Sequence, residues 1–177
     1  MRPLPEKLQT QLFDKLRNNP RTRQLVAHLP KCLLLPFTKL PSSLQKAVIK
    51  QVLSQVLKSS LAEGELDFLQ DHYLQVVITD VNLTFYISVN YKSLVIESDR
   101  PEGPECCNVS FQGESHFMLL MMSREVDPDT LFFQRKLLMT GDTELGLEIK
   151  NFLDDFDMEQ VPKVLNFALQ QFAAITQ

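Results

Sequence analysis

Apolar positions recur along the chain at two periods, near 3.6 and at 2, and the switches between them predict its elements. Over 4–16, Leu4, Leu8, Leu12, Phe13 and Leu16 fall at helical spacing beside Lys7, Lys15 and Arg17, which predicts a short basic amphipathic helix. Asn18, Asn19 and Pro20 end it. A short helical piece over 22–28 and an apolar run over 32–37, broken by Pro36, come next. From 42 to 63 a longer helix is expected, capped by Ser42 or Ser43 and stopped by Gly64. Leu44, Val48, Val52, Val56 and Leu61, with Ile49, Leu53 and Leu57, give it a broad apolar face, and Lys46, Lys50, Gln51 and Lys58 line the other side.

The period then shortens. Strands are expected over 72–79 and 81–89, meeting near Asp80. In the second, Leu83, Phe85, Ile87 and Val89 alternate with Thr84, Tyr86 and Ser88, so one face reads as apolar and the other as polar. A third strand over 93–97 precedes a Pro- and Gly-bearing connector at 98–105. Cys107, Val109 and Phe111 alternate in a fourth strand, and 136–140 supplies a fifth. Between these two, the run 117–122 is apolar on every side of a helix, which must be enclosed by protein or touch lipid. Enclosure against the sheet is the favoured reading.

Asp127 reads as an N-cap with Pro128 at the first helical position, followed by Leu131, Phe132 and Phe133. Gly141 and Asp142 signal a turn, with Asp142 or Thr143 capping the next helix. Along that helix Leu145, Ile149, Phe152, Leu153 and Phe156 form one apolar stripe. A last helix starts near 158–162 and carries Val161, Val164, Leu165, Ala168, Leu169, Phe172 and Ile175. Internal repeats and low-complexity segments are absent.

Composition sharpens this picture in three ways. Twelve Phe and six Met with no Trp suit an adaptable apolar interior, although a plain core is the commoner use of such residues. The net charge of −4 conceals a division: residues 1–58 hold 11 Lys/Arg against 2 Asp/Glu, or +9, and the remainder carries −13. The basic front half fits either an extension folded on the domain or a device that lies on an anionic membrane surface without crossing it. Nucleic acid is a weaker use of that charge, since no recognition motif is present. The stretch 25–40 is interrupted by Pro30, Lys31, Pro36 and Lys39, short of the ~18 consecutive apolar residues a span needs. Three cysteines, two of them adjacent, make no disulfide framework, and with no secretory signal legible the expected setting is the reducing cytoplasm.

Catalytic constellations are missing, so no enzyme is expected. The five glycines form no nucleophile elbow or phosphate-cradling loop, and His28, His72 and His116 sit on separate elements. Asp154, Asp155, Asp157 and Glu159 lack the glycine and ligand periodicity of a calcium loop and read as a solvated helix end. Cys106 and Cys107 have Glu102 and Glu105 nearby, which raise rather than lower a thiol pKa. Neither a metal nor a cofactor is expected.

The stretch 127–153, with Asp-Pro-Asp-Thr-Leu-Phe-Phe-Gln-Arg and then Gly-Asp-Thr-Glu-Leu-Gly-Leu, resembles the lipid-binding domains of the sterol carrier protein type-two superfamily, and the likeness extends over roughly residues 40–176. It implies an α+β fold: a five-stranded, mainly antiparallel twisted sheet covered by helices, with an apolar tunnel between them. A basic helical extension over 1–40 would precede a lipid-binding domain over 41–177. Relatives in quinone biosynthesis imply a non-catalytic carrier that holds polyprenyl-phenol or quinone-type lipids for oxygen-independent hydroxylases of the UbiU and UbiV type. The alternatives are a generic carrier of phospholipid, acyl or sterol-like ligands, and a protein-docking scaffold with a solid core. Under the carrier reading, the expected lining is Phe85, Ile87, Met118, Leu119, Met122, Leu131, Phe132, Leu147, Phe152 and Phe156: one strand face, the all-apolar helix and the inner side of the 145–156 helix.

Overall fold

Pro41 and Gly64 bracket the helical region that leads into the sheet. A computed structural model describes residues 29–99, 101, 108–124 and 126–156. The helices expected over 4–16, 22–28 and 158–175, and the Cys106–Cys107 pair, lie outside the described residues. Three helices come first: α1 (Leu29–Thr38), α2 (Ser42–Val56) and α3 (Lys58–Glu63). The run that Pro36 was expected to break is helical throughout α1, since a proline so near the C-terminus removes one backbone bond before the helix ends anyway. Its last carbonyls are satisfied from the side: Gln45 Nε2 donates to the Thr38 carbonyl at 3.0 Å and to that of Leu40 at 2.8 Å.

Two expectations about the next helix are corrected. Pro41, not a serine, holds the cap position, its carbonyl accepting from the Leu44 and Gln45 N–H groups, and Ser42 and Ser43 fall in the first turn. The helix is also interrupted at Leu57 (φ −95°, ψ 14°), with Val56 and Leu61 buried on either side of the break. Gly64 does end it, in the left-handed conformation at φ +82°. Only part of the broad apolar face is used. Ile49, Leu53 and Val56 meet the core, whereas Leu44, Val48 and Val52 are 51%, 45% and 45% exposed. Leu44 and Leu53 lie nine residues apart, about half a turn round the helix, and one contact surface cannot cover both.

The sheet holds β1 (Leu74–Ile78), β2 (Leu83–Asn90), β3 (Ser93–Glu97), β4 (Val109–Gly113) and β5 (Leu137–Gly141) in the order β3-β2-β1-β4-β5. β1 and β4 run parallel and every other pair is antiparallel, so the sheet is mixed and open. Register places Val76 opposite both Phe85 and Phe111, and Phe111 opposite Met139. Leu74 pairs with Ile87 and Val109 in the same way. These residues share one face, and the principal core lies on it.

The opposite face of β2 is not solvated as its alternation suggested. Tyr86 and Ser88 are buried there, and a 3₁₀ turn over Asp67–Leu69 packs against this strand beside Ser88. Ser88 Oγ donates to the Leu69 carbonyl at 3.2 Å, and Gln75 Nε2 donates to the Tyr86 hydroxyl at 3.3 Å, so neither hydroxyl is buried without a partner. On the core side, β4 leads through α4 (Ser115–Met122) and α5 (Pro128–Phe133) to β5, and α6 (Thr143–Asp155) follows.

Candidate functional site

Three aspartates fix the helices that cover the core face. Asp80, in the turn after β1, accepts from the Ser115 N–H at 2.9 Å and the Ser115 hydroxyl at 2.6 Å, which pins the start of α4. Asp127 caps α5 by accepting from the Asp129 N–H, with Pro128 beside it as expected. Asp142 caps α6, its Oδ1 accepting from the N–H groups of Glu144 and Leu145. Arg124 holds the other end of α6 through its carbonyls at Asp154 and Phe156. Lys150 bridges Asp129 of α5 at 3.2 Å and Asp154 at 3.3 Å, and hydrogen bonds to these two carboxylates raise its ammonium above the ordinary lysine pKa.

Between these helices and the sheet lies a continuous apolar layer. Its buried members include Val76, Ile87, Val109, Phe111, Met118, Leu131 and Ile149. Packed against them are large side chains that keep some solvent access: Phe68, Phe85, Met122, Phe132, Phe152 and Leu153. Ring contacts run through it: Phe111 meets Phe132 edge-on at 6.1 Å, Phe68 meets Phe152 at 6.4 Å, and Phe152 meets Phe156 at 5.7 Å. A surface of carbon and thioether sulfur can accept an alkyl or aromatic ligand. It offers no nucleophile, acid or base.

Seven of the ten expected lining residues belong to this layer: Ile87, Met118 and Leu131 buried, and Phe85, Met122, Phe132 and Phe152 half-buried. Phe156 joins through its ring contact with Phe152. Leu119 is half-buried on α4 but outside the cluster. Leu147 is not on the inner side of α6 at all, being 57% exposed. Two residues from Leu145, it sits about 200° round the helix, off the stripe that Leu145, Ile149 and Phe152 define. Phe68 and Phe111 were missed. Phe111 was within reach, since it alternates with Val109 in a strand. Phe68 was not, because it lies in a turn and meets Phe152 only through the tertiary fold.

A pocket of about 200 Å³ opens elsewhere, lined by Thr79, Gln112, Glu114, Phe117, Arg135, Lys136 and Leu138 with Gly113. It is below the ~300 Å³ typical of ligand sites and mixes Phe117 and Leu138 with the charged Glu114, Arg135 and Lys136, so it does not suit a lipid chain. Among the described residues no group of His, Cys, Asp and Glu is arranged to hold a metal ion, and no helix is long and apolar enough to cross a membrane.

Comparison with known proteins agrees with this arrangement. Residues 49–154 match the description of the SCP-2 sterol transfer family. The chain is 38% identical over 163 residues to the ubiquinone biosynthesis accessory factor UbiT of Escherichia coli strain K12, covering 92% of this chain and 87% of that protein. Among solved structures, the UbiJ-SCP2 ubiquinone synthesis protein superposes with a TM-score of 0.52 at 12% identity, over 65% of this chain and 97% of the other. That last likeness concerns the fold.

Proposed function

Because the chain belongs to the SCP-2 sterol transfer family, we propose that it is a lipid-binding accessory factor of ubiquinone biosynthesis that carries out no reaction itself. In this reading it holds polyprenylated quinone precursors and presents them to oxygen-independent hydroxylases of the UbiU and UbiV type. The observation that carries it is the partly accessible apolar layer under α4, α5 and α6, in a chain so similar to UbiT. The ligand's chain would lie against Phe85, Ile87, Met118, Met122, Phe132, Phe152 and Phe156, with Leu119 at its margin; exposed Leu147 takes no part.

The energetics of such a carrier are set by its alternative. A tail of tens of carbons, at ~0.8 kcal/mol per CH₂ relative to water, would exceed the practical ceiling of affinity. The competing site is the bilayer, so transfer exchanges one apolar medium for another and stays reversible.

Exchange requires meeting the membrane, and we assign that contact to residues 1–40 together with the outer line of α2. There Leu35, Leu40, Leu44, Val48 and Val52 are all at least 40% exposed. The sequence carries no Asp or Glu from Lys15 to Ala62. An apolar line in a wholly basic segment suits an anionic leaflet. The lipid-binding unit is then 41–177. The test is transfer of a fluorescent polyprenyl quinone between vesicles. Protein-dependent transfer, faster to anionic acceptors and slowed by salt, is expected; transfer no faster than without protein would refute the reading.

A further inference from the structure

Neither edge strand of the sheet has a further strand beyond it among the described residues. β3 is packed by α2, with Lys46 of that helix paired to Glu97. β5, packed by α5 and α6, is likewise unpaired on its outer side. The hydrogen-bond alternation shows which of its backbone groups are left over. The Gly113 carbonyl is taken by the Thr79 N–H on the β1 side at 2.9 Å, so Ser110 and Gln112 are the β4 residues that face β5. Their partners Thr140 and Leu138 are therefore bonded, and Met139 between them turns its N–H and C=O outward. Beside this open edge stand two exposed large apolar side chains, Leu138 at 43% and Phe133 at 88%. An open edge with apolar flanks is a surface that pairs unless something prevents it.

The charges at the two ends of β5 say what it pairs with. Arg135 and Lys136 precede the strand; Asp142 and Glu144 follow it. Neither cation has an ion-pair partner among the described residues; Lys136 Nζ lies over the Phe117 ring, 4.8 Å from its centroid. Asp142 uses Oδ1 to cap α6, which leaves Oδ2 free to accept. Laying β5 antiparallel on a second β5 about a two-fold axis through Met139 puts Leu137 opposite Gly141, Lys136 opposite Asp142 and Arg135 toward Glu144 of the copy. The basic end of each strand then meets the acidic end of the other, twice over.

We infer that β5 is a self-association edge through which two copies of this chain join their sheets into one of ten strands. This stands apart from the lipid reading and holds or fails without it. Pairing of five residues buries little area, so the dimer is reversible and forms with rising concentration. Its end-to-end charge pairs make it weaker in salt.

Sedimentation velocity of the full chain over a concentration series, at low and high salt, tests this with amide exchange at Met139. Expected are a monomer–dimer equilibrium and slower Met139 exchange as dimer accumulates. Leu138→Lys and Lys136→Glu should each weaken dimerisation at least tenfold. Leu138 is exposed, so its variant should leave the melting midpoint of the monomer unchanged, whereas Lys136→Glu gives up the Lys136 contact over the Phe117 ring and is scored on dimerisation alone. A chain that stays monomeric at its highest soluble concentration overturns the inference. So does a dimer that neither variant weakens, or one in which Met139 exchanges as fast as in the monomer.

Discussion

The rings of Phe68 and Phe152 stand 6.4 Å apart and inclined at 58°, joining the turn before the sheet to the last described helix. Phe156 continues the contact at 5.7 Å. All three are only partly buried, so under the proposed function this is the end of the apolar layer where a ligand would displace least of the core. Phe152→Ala is expected to cut lipid occupancy sharply while costing only about 1–3 kcal/mol, less than the 3–5 kcal/mol of a fully buried phenylalanine. Bound lipid per protein and thermal unfolding, measured on one preparation, check both halves.

Neighbouring positions on α6 should separate cleanly. Ile149, at 4% exposed, is expected to cost about 2–5 kcal/mol on change to alanine. Leu147→Ser should alter stability by no more than about 0.5 kcal/mol and leave lipid binding unchanged. Denaturant titrations of the two variants decide this.

Gly141 has φ +117°, and a Cβ there would stand 2.2 Å from the Asn108 carbonyl oxygen. Gly141→Ala should therefore destabilise by more than the ~1–3 kcal/mol of backbone strain alone. Gly146→Ala places its new atom 3.1 Å from the flexible Met139 Sδ and should cost less. A reversed order in chemical denaturation would contradict the close approach of β5 to the chain at Asn108.

Val48 lies at the middle of the exposed line on α2. Val48→Asp is expected to leave the melting temperature unchanged and to weaken binding to anionic vesicles by about 1–2 kcal/mol, from lost apolar contact and added like charge. Vesicle co-sedimentation with neutral and anionic lipids measures it.

The Lys150 bridge between α5 and α6 predicts an alkaline signature. Its ammonium is held above the ordinary lysine value by hydrogen bonds to the carboxylates of Asp129 and Asp154. The raised folded-state pKa means its contribution is complete below the unfolded value and disappears as pH rises through the folded one. The stability gap between the wild type and Lys150→Met should accordingly be constant across neutral pH and close above pH 10.5. Unfolding curves at neutral and strongly alkaline pH test the sign.

Much of the fold was legible where a local signal decided it. β3 falls on the five residues the alternation marked, and the Asp127 and Asp142 caps form as their positions suggested. The turn between β2 and β3 was harder. Tyr91 and Lys92 both adopt positive φ, at 46° and 58°, without the glycine or asparagine that usually announces it. What stayed hidden depended on distant partners. The 3₁₀ turn meets Ser88 on a side that strand periodicity leaves polar, and it brings Phe68 to Phe152. Periodicity likewise shows that α2 is apolar over a wide arc but not which part of the arc the sheet covers.

The central claim, that an apolar chain lodges between the sheet and α4–α6, is tested most directly by native mass spectrometry of the full chain purified without added lipid and again after incubation with polyprenyl-quinone vesicles. The account predicts a 1:1 adduct whose released mass is a polyprenylated lipid, diminished by Phe152→Ala and retained in Leu147→Ser. A chain that flies only at its bare mass in both preparations would contradict it.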